Sequence, residues 1–129
     1  ALFHETSEVM TGDLPTPIKY FNPEIRDAYK SLEKLANERL LSLLPSQLSA
    51  EYAKIVMDDV SEEHKFVKYA DKICAYIKCV DEVKRGNAEF AKAKETIFKE
   101  INAFRSKEVD YFMGNFLPAF SLTLDELDV

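Results

Sequence analysis

An all-α fold is predicted by three features of this sequence. Helix caps and stops recur along it, apolar residues between them repeat at three- and four-residue spacing, and glycine is scarce. Three glycines and no tryptophan in 129 residues argue against a loop-rich or β-sandwich fold. The length suits one domain with its own core and is short for two.

The chain opens ALFHETSEVMTGDLPTP. Leu2 to Thr11 reads as a helix ending at Gly12. A free helix N-terminus usually begins with Ser, Thr, Asp or Asn, whereas this one begins Ala-Leu-Phe. The expectation is a chain that starts inside a longer helix, although removal of an initiator Met before Ala would look the same. With ~100° between successive residues, His4, Glu5 and Glu8 fall within roughly a third of the circumference, and Leu2 and Val9 lie further round towards the core. A neutral imidazole and carboxylates on one face can hold a hard or borderline divalent cation. A solvated helix face is the competing reading, since both residue types are common on surfaces.

Gly12 to Phe21, GDLPTPIKYF, reads as the one long irregular stretch, stiffened by Pro15 and Pro17. Such loops often carry function. Asn22-Pro23 is an N-cap with proline in the first turn. From there Ile25, Ala28, Tyr29, Leu32, Leu35, Ala36, Leu40 and Leu43 recur at helical spacing until Pro45. Ser49 is expected to cap a short helix holding Tyr52, Ile55 and Val56. Ser61, followed by two glutamates suited to the helix dipole, caps the next. That helix carries Phe66, Ala70, Ile73, Cys74, Ile77 and Val80 and stops at Gly86. Asn87 starts another, with Phe90, Ala93, Ile97, Ile101 and Phe104 as its buried stripe. Ser106 caps a further turn or two through Val109, Phe112 and Phe116, before Pro118.

Charge and cysteine usage narrow the function classes. A net charge of -6 makes a nucleic-acid polymer an unsuitable partner, because phosphate binding needs a basic stripe. A mononucleotide stays open, since a metal ion can supply the positive charge. Cys74 and Cys79, five apart on a helix, point in different directions and do not pair. Without further thiols there is no disulfide framework or cysteine-rich zinc site, which fits a cytoplasmic protein. No apolar run approaches the ~20 residues of a membrane helix. Asp71 lies at the edge of its helix's apolar stripe, with Asp81 pointing further inward. Tyr20, Phe21, Phe112, Phe116 and Phe120 read as core aromatics rather than a base-stacking platform, and Lys19 as a solvated lysine rather than a phosphate ligand. The run KEINAFRSKEVD is a charged face that also suits a dimer rim.

Three stretches, HETSEVMTGDLPTPIKYFN, VKYADKICAYIKCVDEVKRGNAEF and VDYFMGNFLPAFSLTLDEL, resemble the bacterial HD-domain 5′-deoxynucleotidases of the YfbR type, from Ala1 to about Leu127. The resemblance implies a single HD-type helical domain over residues 1–129 that lacks its N-terminal helices. It implies a divalent metal such as Co or Mn, deoxyribonucleoside 5′-monophosphate substrates, and a homodimer. By this match His4 is the histidine of the metal-binding doublet, Glu5 stands where the family usually has aspartate, and Asp71 is the distant aspartate. Glu8 matches the acid that assists catalysis, and Asp13 an acid near the phosphate and attacking water. The family's first histidine ligand and its Arg-Trp substrate contacts have no counterpart here, and His64 matches no HD-type motif. The extra methylene of Glu5 is expected to alter metal preference rather than abolish binding. Two alternatives stand beside this reading. One is an HD phosphohydrolase acting on another phosphoester; the other is a non-catalytic helical dimerisation module with a decayed metal site.

Overall fold

The computed structural model describes residues 1–19 and 21–127. It is helical, with no strand among the described residues, as the cap pattern predicts. Two compact units, residues 1–67 and 68–129, are taken in turn.

In the first unit the opening segment departs from the expected α-helix. His4, Thr6 and Glu8 donate their N–H groups to the carbonyls of Ala1, Phe3 and Glu5, three residues back. Residues 2–7 are therefore tight turns, and only Glu8–Thr11 forms an α-helical turn, α1. Three-residue spacing changes the azimuth of each side chain relative to α-helical spacing. Leu2 and Val9, expected to turn towards the core, are instead 89% and 79% exposed. Gly12 ends α1 as expected, with a backbone φ of 70°. The supposed irregular loop contains a helical turn, α2 (Thr16–Lys19), which starts just after Pro15. Ile18 donates its N–H to the Pro15 carbonyl at 2.9 Å. The expectations for Tyr20 and for the Lys19 side chain lie outside the described residues.

The cap at Asn22 forms as the sequence predicts. Its side-chain oxygen accepts from the Glu24 N–H at 2.7 Å and starts α3 (Pro23–Ser42), with Ala36 and Leu41 buried. Helix α4 (Ser46–Val56) starts before Ser49, because Pro45 both stops α3 and starts its successor. The extended ψ of Pro45 turns the chain, and its carbonyl accepts from Leu48 and Ser49 at 2.9 and 3.0 Å. The hydroxyl of Ser49 is thus released from capping and donates to the Leu41 carbonyl near the end of α3. Phe3 meets Tyr52 edge to face at 5.6 Å, joining the opening turns to α4.

Helix α5 (Glu62–Lys84) starts in the first unit, and most of its length belongs to the second. Ser61 caps it, accepting from the His64 N–H at 3.0 Å, while the Ser61 hydroxyl donates to Asp58. At its far end Gly86, at φ 91°, makes a Schellman turn: Asn87 N–H bonds to the Glu82 carbonyl and Gly86 N–H to that of Val83.

In the second unit Asn87 caps a 3-10 turn, Ala88–Phe90, which runs into α6 (Ala91–Ala103). The predicted α6 stripe is the core: Ala93, Ile97 and Ile101 are 3%, 0% and 1% exposed. Helix α5 meets α6 in ordered steps. Tyr69 packs on Phe104 at 4.4 Å, Lys72 pairs with Glu100 at 2.8 Å, and Tyr76 packs on Phe98 at 5.5 Å. The buried stripe of α5 is therefore Tyr69, Ile73, Tyr76 and Cys79, whereas Phe66, Ala70 and Cys74 are exposed. Both cysteines are free, as their spacing predicts. Ser106 accepts from the Val109 N–H and starts α7 (Lys107–Asn115). Pro118 then opens no gap but sits at the start of a 3-10 helix, Leu117–Ser121, where its missing N–H costs nothing. A last helical turn, α8, covers Leu124–Leu127. Phe112 lies between two other rings, 5.5 Å from Phe116 and 6.4 Å from Phe120. Phe116 and Phe120 are exposed, and so is Phe21 in the first unit, so the aromatic set is not the core that its spacing suggests.

Candidate metal and phosphoester site

The first unit brings His4 and Glu5 together. The Nδ1 atom of His4 lies 2.6 Å from the Ala1 carbonyl oxygen. A carbonyl can only accept, so Nδ1 carries a proton, and Nε2 is the ring nitrogen left to serve as a ligand. That nitrogen stands 3.4 Å from Oε1 of Glu5. The donor set fits a divalent metal: an imidazole oriented by a backbone carbonyl, beside a carboxylate, on an exposed surface. His64 differs: it is half-buried, and its Nε2 is buried without a hydrogen-bond partner among the described residues.

Glu8 opens α1 and is half-buried. Its carbonyl accepts from the Gly12 N–H at 2.9 Å, which places the end of α1 directly before Asp13. Asp13 is exposed, in the loop between α1 and α2. From α3, the Tyr29 hydroxyl donates to the Gly12 carbonyl and lies 3.3 Å from the Thr11 hydroxyl. Sequence reasoning placed Tyr29 only in an apolar stripe, since helical spacing gives no sign of what its hydroxyl will reach.

In the second unit Asp71 is exposed on α5. The next residue, Lys72, is held by Glu100 of α6 in a partly buried ion pair, which fixes the rotation of α5 at this point. Asp81 is half-buried, as its position predicts, and pairs with Arg85 one turn on. No described helix is long and apolar enough to cross a membrane.

A family model described as 5′-deoxynucleotidase YfbR-like matches residues 1–120. The chain is 47% identical over 129 residues to a 5′-deoxynucleotidase of Pectobacterium atrosepticum, covering 98% of this chain and 65% of the relative. It is 49% identical over 131 residues to 5′-deoxynucleotidase YfbR of Photorhabdus temperata, covering 100% of this chain and 66% of the relative. For 5′-deoxynucleotidase YfbR of Salmonella arizonae the identity is 46% over 129 residues, with coverage of 98% and 65%. The chain thus spans just under two thirds of the length of these curated relatives. With the family model matching nearly its whole length, this chain belongs to the YfbR-like 5′-deoxynucleotidase family.

Proposed function

We propose that the protein to which this chain belongs is a metal-dependent 5′-deoxynucleotidase that converts deoxyribonucleoside 5′-monophosphates to deoxynucleoside and phosphate. His4, Glu5 and Asp71 hold the divalent cation, cobalt, manganese or a similar transition metal. The observation that supports this reading is the placement of His4 Nε2 3.4 Å from the Glu5 carboxylate, with the other ring nitrogen held by the Ala1 carbonyl. Family membership supplies the substrate class. In the same reading both units form one HD-type domain, and the enzyme works as a cytoplasmic homodimer.

A phosphomonoester dianion repels an incoming nucleophile, and its uncatalysed hydrolysis is among the slowest of reactions. A cation bound here neutralises phosphate oxygens and lowers the pKa of a water molecule. Glu8 takes a proton from the attacking water and returns it to the departing 5′-oxygen. Asp13 orients the nucleophile and meets the phosphate end of the substrate.

The test uses the full-length protein, with metal analysis and phosphate release from deoxy- and ribonucleoside monophosphates. His4→Ala is expected to lose both bound metal and turnover. Glu8→Gln is expected to keep the metal and to lose about 10²- to 10⁴-fold in kcat. Turnover of cyclic or other phosphoesters alone would replace this substrate class with another. An intact protein with neither metal nor turnover would leave a helical module in place of an enzyme.

A further inference from the structure

The Gly12–Asp13 junction contains a swivel, and one side chain from another helix holds it. Gly12 has φ 70° and ψ 166°, a backbone region open essentially to glycine alone. A Cβ on Gly12 would meet nothing within 4 Å, so the backbone and not crowding calls for glycine here. On one side its N–H is tied to the Glu8 carbonyl at 2.9 Å. On the other, its carbonyl belongs to the peptide unit that carries the Asp13 nitrogen, and that carbonyl accepts from the Tyr29 hydroxyl. The Thr11 hydroxyl reaches the same carbonyl at 3.0 Å, but Thr11 moves with the segment it would restrain. Tyr29 does not, because it is seated on the 20-residue helix α3.

We infer that Tyr29 is a positioning residue: its hydroxyl locks the Gly12–Asp13 peptide plane and thereby sets the Asp13 carboxylate relative to Glu8. The inference rests on the roles proposed above for those two acids. A phenylalanine would fill the same space in the α3 stripe, so the contribution in question is the hydroxyl alone.

The test is a double-mutant cycle in the full-length enzyme, with amide hydrogen exchange read alongside it. Tyr29→Phe is expected to speed exchange at residues 12–14 and to leave metal content unchanged. It should lower kcat about tenfold, the scale of one net hydrogen bond, in the parent and not in an Asp13→Asn background. Unchanged exchange, or the same loss of kcat in both backgrounds, would overturn the inference. An Asp13→Asn enzyme as active as its parent would remove the role on which the inference rests. The exchange data separate that failure from failure of the clamp.

Discussion

Nε2 of His4 and Oε1 of Glu5 face each other across 3.4 Å, while Nδ1 of the same ring is committed to the Ala1 carbonyl. The contact sets an imidazole nitrogen against a carboxylate oxygen on the exposed surface of the opening turns. In the function proposed above, the reach of the residue 5 carboxylate decides where its oxygen stands relative to that nitrogen.

That reach leads to a prediction about metal choice. Glu5→Asp withdraws the carboxylate by one methylene, which shifts an oxygen by about an ångström if the backbone stays in place. Each metal prefers its own bond length and geometry. The variant of the full-length protein is expected to change the ratio of cobalt to manganese affinity by about tenfold while still binding both. Competitive metal titration reads this directly, and an equal loss for every metal would show that residue 5 does not tune the choice.

The α6 stripe predicts a stability effect separate from the site. Ile97 is 0% exposed, and truncating it leaves a cavity that its neighbours only partly fill. Ile97→Ala is expected to cost about 2–5 kcal/mol. Urea unfolding measures the cost, and a loss under 1 kcal/mol would mean that the second unit repacks freely around α6.

At the start of α5 the prediction concerns pH. The Asp58 carboxyl is held below its ordinary value of 3.8, first by the Ser61 hydroxyl and then by the Ser61 backbone N–H. Lowering the folded-state pKa makes the cap a source of stability above the unfolded value. That stability disappears as pH falls through the folded value. Asp58→Ala should therefore lower Tm at neutral pH, and the gap to the parent should close as pH drops below 3.8. A gap that stays constant across an acid series of thermal melts would show that the carboxylate charge is not what matters.

Cap chemistry was the most legible part of the fold because it is local. Asn22, Ser61, Asn87 and Ser106 each bond to an N–H two or three residues away, within reach of the sequence itself. Pro45 shows the limit of that logic. A serine four residues later looked like the cap, but the fixed ring and extended ψ of Pro45 had already turned the chain into the next helix.

The sequence offered His4, Glu5 and Glu8 as candidates by spacing, Asp13 and Asp71 by resemblance, and the helical class around them by its caps and periodicity. Tertiary structure decided the rest. It set the three-residue turns that expose Leu2 and Val9, the α5 stripe that buries Cys79 rather than Cys74, and the reach of the Tyr29 hydroxyl from α3 to Gly12. Hydrogen-bonding residues near in sequence settle where a helix starts. Which of its faces is covered, and which atom a side chain meets, depends on groups distant in sequence that only packing brings near.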